Sequence, residues 1–574
     1  MSSHLPPEAL WAFAVAPIIL LVGLVSRSRL STGTNAAITA AFALILGWLL
    51  FGANVTVGGV AVGKGLWTGL WILYVIWPAL LLYQLASRAG LTKMGHVFSS
   101  ILPREVENLL IVAWVFPSFV QGVAGFGTPI AVAAPILLAM GYGPVRAIAF
   151  PLVGYHWSVT FGSMGSSFYM GGLTAGLDGA ELAAYARDAS IILSVNLLLS
   201  GVLLCLMHGG VRSLRRGLRM LAAVGPLMVL GLLLAVHLEP AIGSLAAGAL
   251  GFAGLLVLRR LSRRDDPDEA VAGARAARAT ARTEQTFFVD ESTELPDIDT
   301  GFGIKREGCE PHTEIEESDT ATAPELTARL RPIVVLLPYV YLLVLVLVVF
   351  LPPTSRDFVR THFLIAPSFP ETRTATGVVN PAVSDYTPIA LLGHPGSYIL
   401  LAALLGYVTY RVAGIWPTKQ LSDAVRSWGS QAGRSTFSVA ALTTIAAIMV
   451  DTGMVRVIAI GAADVTGALF PAVSPIIGAL GSFTTGSTTT SNALFAALQR
   501  DVATLIDVEP SFLLAAQTAG GNVGNALAPV VILIGATAVD ASDRVRDIFR
   551  AVLLPAAALI TSVVFLTILL IAIG

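Results

Sequence analysis

Between two apolar stretches of the chain lies a polar run: Thr484, Thr485, Ser487, Thr488, Thr489, Thr490, Ser491 and Asn492, with only Gly486 among them. Gln517, Gly521, Asn522 and Asn525 follow on the next apolar segment. The first half of the chain holds a counterpart in Gly127, Thr128, Ser158, Thr160, Ser163, Gly165, Ser166 and Ser167. Hydroxyls and amides donate hydrogen bonds without carrying charge. A helix that starts inside an apolar segment adds unsatisfied N–H groups and the positive end of its dipole. Together they suit a small anion, above all a carboxylate that also bears a hydroxyl, with no buried Arg or Lys needed. The substrate-binding set read from this pattern is Gly127, Thr128, Ser163, Gly165, Ser487, Thr488, Thr489, Ser491, Asn492, Gly521, Asn522 and Asn525. The substrate hydroxyl would pair with an amide such as Asn492 or Asn522. Ser, Thr and Gly also pack membrane helices together, so close helix contact without a ligand is the competing reading.

Two ionisable residues could carry a coupling proton. His156, in VGYHWSVTFG, titrates near neutral pH when unperturbed. Its alternative role is that of a neutral histidine hydrogen-bonded between helices. Asp451, in IMVDTGM, ends an apolar span and could bind a proton or cation, although a helix-end residue facing water explains it more simply. The sequence contains no H-E-x-x-H, no P-loop and no Cys/His zinc spacing. Cys205 and Cys309 form no disulfide framework or metal set. No cofactor, metal or nucleic-acid partner is therefore expected, and the chain is not read as an enzyme. An intramembrane hydrolase, built on His156 and a nearby Ser, is the alternative from another class, but no G-x-S-x-G elbow supports it. A channel is a third reading.

The elements that must position these residues are membrane helices. The chain has 574 residues, of which 55% are hydrophobic and only 12% charged, with a mean hydropathy of +0.78. A soluble domain carries about 25% charged residues. Runs of bilayer-spanning length are expected near 10–26, 35–53, 66–86, 144–165, 189–207, 217–236, 240–258, 331–351, 396–412, 433–451, 511–539 and 548–573. Arg27, Arg88, Arg104, Arg212, Arg219, Lys419, Arg434 and Arg544 fall on one side if these spans alternate. By the positive-inside rule that side is the cytoplasm, which places both termini outside a plasma (inner) membrane. No Lys or Arg occurs in residues 1–10, so the first apolar stretch lacks the basic start of a cleavable signal peptide.

Two interrupted stretches, 107–141 and 466–500, would break that alternation as single crossings, and as re-entrant hairpins they preserve it. Non-helical backbone at membrane depth occurs only within protein or beside a cavity, so both breaks point at a site. At an offset of 359 residues Gly127 falls on Gly486, Gly162 on Gly521 and Gly165 on Gly524. The matched segments run in opposite predicted directions, as in the inverted repeats of many secondary transporters. Chance matching among 55 glycines is the alternative. The resulting organisation is a first repeat at 1–207, a connecting helical hairpin at 208–258, a cytoplasmic polar linker at 259–330 and a second repeat at 331–574. The fold class is an all-α polytopic membrane protein with about 12 transmembrane helices. The linker holds 10 basic and 17 acidic residues, and the rest of the chain is net basic. A short helix is expected near 268–282. An insertion at 352–395, rich in Pro and Thr, should lie outside and cover the outer face.

GVAGFGTPIAVAAPILLAMG at 122–141, FGSMG at 161–165, TTGSTTTSNALFAALQ at 484–499 and AGGNVGNALAPV at 519–530 resemble the signature segments of the L-lactate permease family. The resemblance spans nearly the whole chain. It implies a proton symporter for lactate or glycolate, built from two inverted repeats and working by an elevator-type movement. Sodium coupling, or transport of another small organic anion, is the alternative, and a homodimer stays open beside a monomer. Two departures stand out: where the family commonly has an Asp and a Lys, this chain has Thr488 and Asn525. Two paired buried charges are best lost together, since either alone would be left unpaired. The two positions are therefore expected to be neighbours.

Overall fold

The computed structural model describes residues 6–27, 30–90, 104–123, 125, 127–265, 332–416 and 420–573. Most of the expected linker, including its short helix at 268–282, lies outside the described residues, as do Cys309 and Lys419. The chain opens with helices α1 (Pro7–Arg27), α2 (Thr32–Leu50) and α3 (Val55–Arg88). Side-chain caps set two of these starts: Ser31 accepts from the Thr34 N–H at 3.1 Å, and Asn54 accepts from the Val57 N–H at 2.9 Å. Next come α4 (Glu105–Leu110), a π-helical turn (Ile111–Val115), α5 (Phe116–Val123), α6 (Thr128–Ala139), α7 (Pro144–Tyr155) and α8 (Ser166–Thr174). The long α9 (Gly179–Leu238) and α10 (Gly243–Asp265) close the first part.

After the linker come α11 (Pro332–Phe350) and α12 (Pro353–Thr361), bent by 95° from each other. Short strands β1 (Leu364–Ile365), β2 (Thr372–Arg373), β3 (Val379–Asn380) and β4 (Ile389–Ala390) form two antiparallel pairs, β1 with β4 and β2 with β3. The remaining helices are α13 (Pro395–Val412), α14 (Gln420–Asp451), α15 (Met454–Thr466), α16 (Phe470–Thr485), α17 (Thr488–Leu505), α18 (Pro510–Leu527), α19 (Pro529–Ala538) and α20 (Val545–Ile573). Among the described residues, 8 helices are long and apolar enough to cross a bilayer, or 10 if each of two bent pairs forms one span. The expected spans 189–207 and 217–236 are both parts of α9, which breaks at Gly209 and Gly210, where Gly210 has φ +63°. The span expected over 144–165 is α-helical only to Tyr155; a 3-10 turn at His156–Ser158 follows, and the backbone turns left-handed at Ser163, Met164 and Gly165. Helix α15 was not among the expected elements, and the second hairpin runs over α16 and α17 rather than 466–500.

Glycines decide where the helices meet closely. A Cβ on Gly65 would stand 2.5 Å from Thr444 Cα, so α3 and α14 approach backbone to backbone. Trp77 Nε1 donates to Thr436 Oγ1 at 2.9 Å, and Trp428 Nε1 donates to the Trp77 carbonyl at 2.8 Å along the same seam. Helix α18 lies equally close to α16: Cβ atoms on Gly478, Gly520 and Gly524 would meet the carbonyl oxygens of Gln517, Pro475 and Ala479 at 1.9, 2.0 and 2.0 Å. At the hairpin tips Gly127 (φ +83°) and Gly486 (φ +68°) share a left-handed turn. Gly162 and Gly521 do not match in conformation: Gly162 is extended, whereas Gly521 lies inside α18. The insertion at 352–395 is clamped over the end of the bundle. Trp67 Nε1 donates to the Thr387 carbonyl at 2.9 Å, and Thr376 Oγ1 to the Phe51 carbonyl at 2.9 Å.

Candidate functional site

Interruption of the helices leaves several helix starts around one small cavity. Gln121, Gly127, Tyr155, Ser163, Ser167, Gly486, Ser487, Thr488, Thr489 and Asn525 line it, with Val159 and Val531 as apolar wall. Its volume is about 30 Å3. Gly127 precedes α6, Ser167 lies in the first turn of α8, and Ser487 caps α17 by accepting from the Thr490 N–H at 3.2 Å. The first-turn N–H groups of Thr488 and Thr489 have no intrahelical acceptor. Three positive helix ends therefore converge on the cavity. Thr488 is 1% exposed, and its Oγ1 has no hydrogen-bond partner. A buried hydroxyl left unpaired is costly, and here it sits on the wall of a polar cavity.

The two halves are tied together around this point. The Ser167 and Thr489 hydroxyls lie 2.7 Å apart across the halves, and within the second half Asn525 Nδ2 donates to the Gly486 carbonyl at 3.1 Å. Thr488 and Asn525 are thus neighbours, as their joint departure from the family pattern implied. Ser163 is held in a left-handed conformation (φ 47°) that non-glycine residues seldom adopt. A Cβ on Gly125 would stand 2.0 Å from Ser163 Oγ, so a side chain there would displace the Ser163 hydroxyl.

Six of the twelve residues read from the sequence line the cavity: Gly127, Ser163, Ser487, Thr488, Thr489 and Asn525. The others stand behind it. Asn492 Nδ2 donates to the Ser167 carbonyl at 2.8 Å and to Thr518 Oγ1 at 2.9 Å. Asn522 Oδ1 accepts from Thr160 Oγ1 at 3.1 Å, and its Nδ2 donates to the Trp157 carbonyl at 3.3 Å. Ser491 Oγ donates to the Gly478 carbonyl at 3.0 Å, inside the second hairpin. Gly165 packs against Ala241, and Gly521 faces Ser482 and Thr488. Thr128 opens α6 without lining the cavity. Gln121 and Tyr155 were not foreseen. Each lies in a mostly apolar helix, and nothing in the local sequence separates it from packing.

Of the two proton candidates, His156 is buried and faces away from the cavity. Its Nδ1 lies 2.8 Å from the Val153 carbonyl and its Nε2 3.4 Å from Asn196 Oδ1. That is the arrangement of a histidine hydrogen-bonded between helices. Asp451 does not face water, contrary to the simpler expectation. Its side chain is 6% exposed and pairs with Lys64 Nζ at 3.0 and 3.3 Å. The insertion covers it, with Asn380 Nδ2 donating to the Asp451 carbonyl at 2.9 Å. Beside the pair lies a second cavity of about 150 Å3, reached by Arg500, Thr174 and Tyr386.

The L-lactate permease family model matches residues 10–574. Curated relatives include the L-lactate permease of Escherichia coli strain K12, 26% identical over 562 residues that make up 94% of this chain and 91% of that protein. The glycolate permease GlcA of the same strain is 24% identical over 556 residues, with the same shares covered. The L-lactate permease of Halalkalibacterium halodurans is 25% identical over 544 residues, 92% of this chain and 91% of its own. Among solved structures, the Alcanivorax borkumensis YdaH transporter aligns with a TM-score of 0.47 at 13% identity, covering 98% of each chain.

Proposed function

The chain belongs to the L-lactate permease family, and from that premise we propose that it is a secondary transporter importing a small 2-hydroxy-monocarboxylate across the plasma membrane with protons. Lactate and glycolate are the substrates favoured, because relatives named for each match along nearly the full length. The observation that carries the reading is the unpartnered Thr488 hydroxyl on a cavity where three helix starts converge. In the loaded state the carboxylate would take the Thr488 and Thr489 N–H groups together with the Ser163, Ser167 and Thr488 hydroxyls. The substrate hydroxyl would pair with Asn525 or Gln121, since Asn492 and Asn522 do not line the cavity.

A cavity of about 30 Å3 equals the liquid volume of one water and is too small for a hydroxy acid. Loading therefore needs the contact between Ser167 on α8 and Thr489 on α17 to open. Movement of the paired hairpins as one body, by two inverted repeats of elevator type, accounts for this opening, and the shared left-handed turns at Gly127 and Gly486 support the repeat. Orientation follows the Arg-rich ends: termini and insertion outside, linker inside. The test is uptake of labelled lactate into proteoliposomes under separately imposed pH and sodium gradients. Accumulation driven by the pH gradient is expected; stimulation by sodium alone would overturn proton coupling.

A further inference from the structure

The Lys64–Asp451 pair has a setting that a merely structural ion pair does not require. Asp451 is the last residue of α14, so its carboxylate sits at the negative end of that helix dipole. Lys64, 9% exposed, is the cation that holds it there at 3.0 Å. The other groups facing the pair come from the insertion and from α17. Tyr386 of the insertion places its ring 5.9 Å from Lys64 Nζ, and Asn380 binds the Asp451 carbonyl. Arg500 of α17 lines the same cavity, already paired with Asp501 at 2.7 Å. The charges balance.

Next to this balanced set is open space. A cavity of about 150 Å3 is of the size that takes up benzene, which has as many non-hydrogen atoms as lactate. Helices α8 and α17 connect it with the smaller inner cavity. Ser167 and Thr489 line the inner one; Thr174 and Arg500, on the same two helices, line the outer one. Along the helix axes the two lie roughly 10 to 17 Å apart.

We propose that this outer cavity is a carboxylate-receiving site in which substrate anion and proton are exchanged for one ion pair. The arriving carboxylate takes the place of Asp451 at Lys64 Nζ. Asp451, deprived of its cation at a helix C-terminus, accepts a proton from water on one carboxylate oxygen. Lys64 keeps its charge throughout. An anion entering alone would leave a buried negative charge uncompensated, whereas an anion entering with a proton leaves the site neutral. The pair thus admits one proton with each monocarboxylate. This rests on the reading of the chain as a carboxylate transporter and assigns that reading its coupling residues.

The experiment compares two activities in proteoliposomes, lactate counterflow without a gradient and accumulation driven by a pH gradient, for wild type, Asp451→Asn and Lys64→Gln. The amide mimics the protonated acid and leaves Lys64 free. Asp451→Asn is therefore expected to lose pH-driven accumulation at least about tenfold more than it loses counterflow, and to bind lactate without dependence on pH. Lys64→Gln is expected to weaken lactate binding about tenfold or more. Wild-type protein in weakly buffered detergent should take up one proton per lactate bound, a measurement that needs no variant. Coupled accumulation by Asp451→Asn, equal loss of counterflow and accumulation in a monodisperse variant, or lactate binding without proton uptake would each overturn the proposal. Wild-type vesicles without any lactate counterflow would instead overturn the transport reading beneath it.

Discussion

Asn525 Nδ2 donates to the Gly486 carbonyl at 3.1 Å, which brings Asn525 on α18 to the hairpin tip that carries Thr488. These are the two positions where the resembled family commonly carries Lys and Asp. Thr488→Asp alone would leave an unpaired buried charge, at a cost of about 3–5 kcal/mol, and Asn525→Lys alone, at a half-buried position, should cost less. The double variant should recover most of that loss. Thermal unfolding in detergent measures it as a double-mutant cycle, with a coupling of at least about 1 kcal/mol expected. Strictly additive losses would show that the two side chains do not meet.

Thr488→Val removes a hydroxyl that has no partner in the structure. Stability should hold or rise slightly, since a buried unsatisfied oxygen disappears and side-chain shape is kept. Transport should suffer all the same, because a hydrogen bond to a charged ligand contributes about 1.5–3 kcal/mol. The expected signature is an unchanged unfolding temperature with KM for lactate raised about tenfold or more. An unchanged KM would remove Thr488 from the site.

Six of the site residues were legible because glycine-rich breaks and runs of hydroxyls are conspicuous against membrane helices. That Thr488 and Asn525 line one cavity was legible because both depart from one pattern together. Gln121 and Tyr155 were not, since a scattered polar residue in a mostly apolar helix carries no signal of what it faces. Asn492 and Asn522 were over-read for the converse reason. Their amides hold neighbouring backbone and side chains in place, and composition does not separate a scaffold amide from a ligand amide. Lys64 escaped notice because the span was placed at 66–86, whereas the Asn54 cap starts α3 at Val55 and draws Lys64 into the bundle. Asp451 looked like a helix end in water because no local feature announces that a segment near residue 380 folds over it.

His156→Gln tests whether the histidine takes part in coupling. The ring bridges the Val153 carbonyl and Asn196 behind the cavity, and an amide can make both contacts. Uptake by the variant should fall no more than about threefold, with its dependence on pH unchanged, because the ring lines neither cavity. A flattened pH profile in a well-folded His156→Gln protein would restore His156 as the proton carrier.

Opening of the inner cavity can be tested by preventing it. The Ser167 and Thr489 hydroxyls touch at 2.7 Å across the junction of α8 and α17, and two cysteines placed there lie within reach of a disulfide. In a Cys205→Ser, Cys309→Ser background, Ser167→Cys with Thr489→Cys should transport when reduced. Mild oxidation should stop both uptake and counterflow, and reductant should restore them. Each single cysteine variant under the same oxidant controls for damage elsewhere. If the cavity opened by another route, with α8 and α17 moving as one body, the cross-linked protein would transport at the reduced rate. Full activity after cross-linking therefore assigns the gate to a different contact, and reversible block assigns it to this one.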